Sequence, residues 1–409
     1  MNDTIGTRIR QARKERGLKQ HELAERAGIS TDMVSLLERG ERGLTVPTMY
    51  ALAGALGIEP DRLLGKRERL AEAGRDRGIL RLRDALQTTA DLPGLEDGAD
   101  GGPVSLADLE AGVDEGWRMY WKGQFALLAA HLPDLITAAR ATEREHGGIA
   151  CRPLAQAYQL SADLMVHMGS DDLAFAVARR GLRAADRSGD PLQYAALAGT
   201  LSWVRLHQGC LADAERVARA AAENIQPRFR RRARDEDEAE AQIRHLTVYG
   251  SLLLSAAAPA AAAGDADAVA SYMREAQVAA LRFTGGDRHD YNLNFGPTQM
   301  AMQAAHQMAV LSRPDRAIAA AKRVNRADLL PISWGAMHLD KAQAYMEMRG
   351  KVPDAVDALL TAYGVSPEWC RHQGLFRNLG AAAVRASRRR EPEQVRKLRA
   401  AVGMALASQ

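Results

Sequence analysis

The chain has 409 residues, too many for one compact helical domain, so two or more units are expected. Its 55 basic and 51 acidic residues leave a net charge of +4, a balance that is compatible with a nucleic-acid partner without pointing to one. The three cysteines (Cys151, Cys210, Cys370) are scattered and form no C-x-x-C, which argues against a disulfide framework or a zinc site and fits a reducing compartment. Charges at Asp3, Arg8, Arg10 and Arg13 interrupt any apolar run at the N-terminus, so no signal peptide is expected there. The long uncharged stretch Leu246–Ala263 approaches a membrane span in length. It is mostly Ala and Ser with Gly250 and Pro259 inside, so it reads as a buried helix. A cytoplasmic protein without membrane contact is the expectation.

Residues 1–65 read as short helices separated by glycines. In Gln20–Arg39 (QHELAERAGISTDMVSLLER), a helix from about Gln20 to Ala27 ends at Gly28, where a tight turn needs positive φ. Ser30 then serves as N-cap of the next helix, Thr31–Arg39. Leu23, Ala27, Ile29, Val34 and Leu37 fall on faces that must pack together, with Ala24 small where the helices cross. A further helix, Pro47–Leu56, starts on Pro and adds Met49, Leu52, Ala53 and Leu56 to the same core.

Residues 66–105 comprise a charged helical stretch to about Gln87 and then Thr88–Val104, rich in Gly, Asp and Pro, which reads as a flexible linker. From 106 to 409 the pattern is helical throughout, with apolar residues three and four apart and no strand-like alternation. A repeat runs through it. Residues 154–190 and 192–227 each read as helix, turn, helix, with Gly169 and Gly209 forty residues apart and each followed five residues on by Ala (Ala174, Ala214). The same Gly-x4-Ala recurs at Gly350 and Ala355, and weaker copies lie near 116–145, 245–283 and 300–326. The expected fold is all-α: a five-helix N-terminal domain followed by five or six helical hairpins stacked as a solenoid.

The spacing Ala24, Gly28, Val34, Leu37, with the flanking Arg8–Gln20 pattern R-x-R-x-x-R-x-x-x-G-L-K-Q and the L-E-R-G at Leu37–Gly40, resembles the lambda-repressor/Cro (XRE-like) helix-turn-helix family over residues 4–65. That resemblance implies a recognition helix, Thr31–Arg39, lying in the major groove of an operator. Thr31, Asp32, Met33, Ser35 and Leu36 would face base edges. Arg10, Arg13, Lys19, Gln20, Arg39 and Arg42 are the candidate phosphate contacts. No Arg, Gln or Asn occupies a usual base-reading position.

The hairpin repeats resemble tetratricopeptide repeats, with helices longer than that family's 34-residue period allows. A helix-turn-helix ahead of such an array looks like the RRNPP regulators, in which the array binds a signalling peptide and sets DNA affinity. The segments Trp117–Leu135 (WRMYWKGQFALLAAHLPDL) and Gly285–Met302 (GGDRHDYNLNFGPTQMAM) resemble more closely an actinobacterial group of the same layout. The RRNPP resemblance implies a peptide or small-molecule effector, and the helix-turn-helix family's pairing across a two-fold axis implies a homodimer bound to an inverted-repeat operator.

Between Phe283 and Gln299 the Ala-rich array becomes polar and aromatic. Asp287, His289, Tyr291, Asn292, Asn294, Phe295 and Gln299 are candidate ligand contacts, the alternative being a structural loop with Asp287 and Asn292 as caps. Trp117, Tyr120, Trp121 and Phe125 read as the core of the first repeat. Arg228–Gln242, with Arg231–Asp235 and Arg234–Glu238 four apart, reads as a solvated helix start, and the basic stretch Arg385–Arg399 as a solvated terminal helix. No phosphate loop, dinucleotide fingerprint, nucleophile elbow or H-x-x-x-H is present, so no enzyme, metal or cofactor is expected. Three readings stay open for the array: a ligand sensor, a protein-interaction scaffold, and a module that only dimerises.

Overall fold

The computed structural model describes residues 4–64, 77–88, 102–227, 233–283, 286–387 and 392–403. Most of the Thr88–Val104 linker lies outside these residues, as do 66–76, Arg231 and part of the basic C-terminal stretch.

The N-terminal domain is five helices: α1 (Ile5–Glu15), α2 (Gln20–Arg26), α3 (Thr31–Arg39), α4 (Val46–Leu56) and α5 (Pro60–Leu64). Each long one starts where a side chain satisfies an orphan N–H: Thr4 accepts from Thr7, Ser30 from Met33, Thr45 from Thr48. The core is small and aliphatic. Ile9, Leu23, Val34, Leu37, Leu52, Leu56 and Leu63 close it almost completely from water.

The helix α6 (Arg77–Leu86) is not a solvated connector. Ile79, Leu82 and Leu86 are buried in the same core as Leu128, Leu132 and Leu135, and the Arg180 guanidinium donates to the Leu86 carbonyl. The array then runs through six hairpins: α7 (Leu106–Trp121) with α8 (Phe125–His146), α9 (Gly148–His167) with α10 (Asp171–Ser188), and α11 (Pro191–His207) with α12 (Leu211–Asn224). There follow α13 (Glu236–Ala263) with α14 (Ala266–Ala280), α15 (Pro297–Val310) with α16 (Pro314–Ala321), and α17 (Pro331–Glu347) with α18 (Val352–Val365). Short helices α19 (Pro367–His372), α20 (Gly374–Ala386) and α21 (Glu393–Ala401) end the described chain.

Every hairpin turn holds one residue at positive φ, namely Gly123, Gly169, Gly209, Gly264, Ser312 and Gly350. Five residues on, the side chain that meets the partner helix is wholly buried in each case: Leu128, Ala174, Ala214, Val269, Ala317 and Ala355. The Gly-x4-Ala spacing is therefore the visible half of a turn rule that tolerates Ser in one place and larger apolar residues in others.

The long apolar stretch is the inner part of α13, most of it covered by protein. Its Gly250 lets Phe295 pack flat on the helix backbone. A Cβ there would lie 2.1–2.4 Å from three ring atoms, and Phe295 is fully buried. Phe295 ends a feature the all-α reading missed, an antiparallel hairpin of β1 (Arg288–Asp290) and β2 (Leu293–Phe295). Tyr291 and Asn292 turn it at φ 52° and 62°. Strands of three residues are too short for alternation to register in a sequence.

The array closes on itself. The Ser366 hydroxyl donates to the Gly123 carbonyl at 3.0 Å, and the Glu368 carboxylate accepts from the Ala126 backbone. Trp369, 3% exposed, lies where a Cβ on Gly123 or Gly335 would collide with it. One continuous apolar core accordingly joins α7–α10 to α17–α21.

The candidate nucleic-acid interface

The helix-turn-helix is set by three local devices. The Glu22 carboxylate accepts from the Lys19 backbone N–H at 2.6 Å, capping α2, and that bond draws its pKa below the ordinary carboxylate value. Gly28 turns the chain at φ 65° while the Ile29 N–H returns to the Ala24 carbonyl at 3.0 Å. Ser30 Oγ accepts from Met33 N at 3.1 Å and starts α3. Val34 and Leu37 pin α3 to the core, so Thr31 and Asp32 stand exposed at its N-terminal end. Met33, Ser35 and Leu36 are half-exposed beside them.

A buried charge locks this arrangement. Glu38 sits on the inner face of α3 with its side chain wholly buried, and the Arg13 guanidinium grips it with Nε at 2.6 Å and Nη2 at 3.0 Å. Arg13 Nη1 also donates to the Leu18 carbonyl at 2.7 Å. Gln20 Nε2 donates to the same carboxylate at 2.9 Å, and Arg10 Nε reaches it at 3.4 Å. Burial pushes the Glu38 carboxyl up, but the hydrogen bonds from Arg13, Gln20 and Arg10 outweigh it and leave the net shift downward.

This changes the roles expected of two residues. Arg13 is only 11% exposed and is committed to joining α1 to α3, so it is a structural cation where a phosphate contact was expected. Gln20 joins α2 to α3 through the same carboxylate. Arg10 remains 52% exposed, Lys19 is exposed at the N-terminal end of α2, and Arg39 and Arg42 are exposed at and just beyond the C-terminal end of α3. Arg39 spans its own helix, donating to Ser35 Oγ and pairing with Glu41 at 2.8 Å. In accepting from Arg39 the Ser35 hydroxyl keeps its own proton to donate.

The second set of candidate residues is less uniform. Asp287 caps α15, accepting from Thr298 N at 2.8 Å and Gln299 N at 2.7 Å, as the loop alternative had it. Burial raises its pKa, with those two bonds opposing. Phe295, expected as a flat wall for a ligand, is instead core against Gly250. Asn292 supplies turn geometry rather than a cap. Tyr291 is tied down by its hydroxyl on Asp190 at 2.9 Å, with the Arg152 guanidinium over its ring. His289 is exposed and meets the ring of Trp121. Asn294 Nδ2 and Gln299 Oε1 are buried without hydrogen-bond partners.

Sequence reasoning missed the seat of the N-terminal domain. Val46 of α4 packs into the apolar cluster of Ala260, Ala261 and Val269 beside the α13–α14 turn. Pro60 lies on the Gly209 turn, and α5 touches α20. The recognition helix packs on α1 and α2. Nothing in the local sequence marks such contacts, because single apolar residues meet turns far away in the chain.

A helix-turn-helix with an exposed recognition face, mounted on a closed helical array, defines a class of DNA-binding proteins. A family model described as Helix-turn-helix matches residues 9–63. An uncharacterized HTH-type transcriptional regulator of Sinorhizobium fredii is 45% identical over 58 residues, 14% of this chain and 75% of that protein. The immunity repressor protein of Bacillus phage phi105 is 39% identical over 69 residues, and the chain spans about half of it (48%) and uses 17% of its own length. A regulator of Methanothermobacter thermautotrophicus is 43% identical over 53 residues, 13% of this chain and 77% of that protein. Among solved structures, BtubC from P. vanneervenii gives a TM-score of 0.38 at 15% identity, covering 63% of this chain and 90% of that one. Bacillus thuringiensis PlcR, solved with the peptide PapR7 and DNA, gives 0.32 at 12%, covering 89% and 94%. The family assignment rests on the sequence matches: the chain belongs to the helix-turn-helix transcriptional regulators, and it is a DNA-binding protein.

Proposed function

We propose that this regulator reads an operator through the N-terminal half of α3, with residues 1–65 as the DNA-binding unit and 106–409 as a unit that dimerises and senses an effector. The observation that carries the DNA reading is the exposed Thr31–Asp32 end of a helix whose other face is locked by Glu38. Thr31 and Ser35 donate to or accept from base edges, Asp32 accepts from a cytosine amine, and Met33 and Leu36 meet thymine methyls. Arg10, Lys19, Arg39 and Arg42 hold phosphates on either side.

One such domain covers a half-site, so the protein binds as a dimer to an inverted repeat with half-sites about one helical turn or a multiple apart. Its site of action is the cytoplasm, on chromosomal DNA. Support for sensing is the seat of α4 and α5 on the array: a ligand that favours one arrangement of the hairpins shifts the position of the recognition helix without needing the linker. Effector contact falls to His289, Asn294 and Gln299, which keep exposed or unpartnered polar groups. The decisive experiment is genome-wide mapping of bound sites followed by footprinting on the recovered sequence. A protected inverted repeat is expected, and protection of a single asymmetric half-site would overturn the dimer reading.

A further inference from the structure

Aromatic residues are scarce in this chain, with 5 Trp, 9 Tyr and 6 Phe among 409 residues, yet three of the tryptophans and four of the ten histidines gather in one place. On α7, Trp117 stacks on Trp121 at 6.1 Å and Tyr120 stands edge-on to both. From there the rings continue without a gap. Phe125 lies 4.9 Å from His167 of α9, His167 lies 5.3 Å from Trp203 of α11, and Trp203 lies 4.9 Å from His207. Trp121 meets His289 of β1 at 5.6 Å, and Phe125 meets His372 of α19 at 5.9 Å. Six elements, drawn from residues 117 to 372, supply this face because the array closes.

A core does not need this composition. Imidazoles are costly to bury, and most side chains buried elsewhere in the array are Ala and Leu. Nor is the outer layer core: Trp121, His167, Trp203 and His207 are half-buried and His289 is exposed, while Trp117, Tyr120 and Phe125 lie behind them. The layer is a lined surface.

One acidic side chain lies beside it. Asp163, one turn before His167 on the same face of α9, is 9% exposed, and its Oδ1 has no partner. The only side-chain bond affecting its titration comes from Thr200, one turn before Trp203. Burial lifts its carboxyl to about 8, so it is one proton away from being a counter-charge. His167 is held by Tyr120 Oη and by Gln373 Nε2, each at 3.2 Å. Ring faces attract cations, and a cation seated on them would draw the neighbouring carboxyl toward its ionised form.

We propose that this face binds an organic cation, an alkylated ammonium beside an aromatic group, with Trp121 and Trp203 as walls and Asp163 as counter-ion. The proposal rests on the sensing reading above, in that it names a ligand class for the array.

The test titrates the full-length protein with benzyltrimethylammonium, following tryptophan fluorescence, with benzyl alcohol and benzoate as neutral and anionic probes. Saturable quenching by the cation is expected, with at least about tenfold weaker binding of the other two, the scale a desolvated cation–π contact supplies. Asp163→Asn and Trp203→Leu should each weaken the cation about tenfold with the melting temperature nearly retained, and Trp203→Phe should keep most of the affinity. No saturable quench, equal binding of benzyl alcohol, or an unaffected Asp163→Asn overturns the proposal. If Trp203→Leu does not fold, Asp163→Asn and the neutral probe decide alone. DNA affinity is measured in parallel. Quenching without any change in DNA affinity sinks the sensing reading and leaves the site, whereas absent quenching sinks the site and leaves the sensing reading to other ligands.

Discussion

The N-terminal domain and the helical array are both all but entirely helical, yet they are held together in opposite ways. The domain has a core of about a dozen side chains and relies on specific polar devices, four caps and one buried carboxylate with three donors. In the array, small residues recur at every turn and the burden is spread over several apolar clusters. Failure of one device should therefore be local and severe in the domain. In the array it should be shared among neighbours, except where a contact has no substitute.

The sharpest way to break this comparison is to remove Glu38. Glu38→Ala leaves Arg13 as a nearly buried cation without its partner, and a loss of about 3–5 kcal/mol is expected, confined to α1–α5. Hydrogen exchange should show amides of α1–α3 opening while those of α9–α13 stay protected. The pH dependence carries the same sign. The Glu38 pKa is depressed in the folded domain, so its stabilisation is complete above the unfolded value of about 4.3 and is lost as pH falls through the lower folded value. Acid titration should loosen α1–α3 before the array, and simultaneous opening would argue against a local lock.

Next in size is Gly250→Ala. A methyl group 2.1 Å from the Phe295 ring must displace either the hairpin or α13, at about 1–3 kcal/mol. The expected signature is a lower melting temperature of the array with the helix-turn-helix amides unchanged. A neutral substitution would show that the hairpin is loosely seated.

Smaller effects belong to function. Thr31→Ala with Ser35→Ala should cost about 1–3 kcal/mol in discrimination between operator and random DNA, read from competition binding, with little change in folding. An unaltered footprint would move base reading elsewhere. Smallest of all, Arg42→Ala should weaken binding to any sequence and flatten the log–log salt dependence by about one unit. Arg13→Ala is expected to act through folding instead, so the two arginines separate contact from support.

Much of this was legible in the residues. Gly28, Ser30 and the 24–28–34–37 spacing specify a local unit, because caps and turns depend on neighbours within five positions. The same holds for the hairpins marked by Gly169, Gly209 and Gly350. What stayed hidden was long-range: Arg13 and Gln20 looked like surface cations and amides because Glu38 lies 25 and 18 residues away. Phe295 looked available because its seat is the absent side chain of Gly250. The ring-lined face was invisible, since Trp121, Trp203, His289 and His372 converge only after Ser366 reaches Gly123.

That closure has an evolutionary consequence. Open arrays lengthen and shorten by duplicating a unit, since each new hairpin meets only its neighbours. Here Trp369 must arrive at the Gly123 turn, so a seventh hairpin would carry it past its seat and a fifth would leave it short. Descendants of this gene are thus free to vary residue by residue but are bound to a fixed repeat number, and in-frame gains or losses of a whole unit should be selected against.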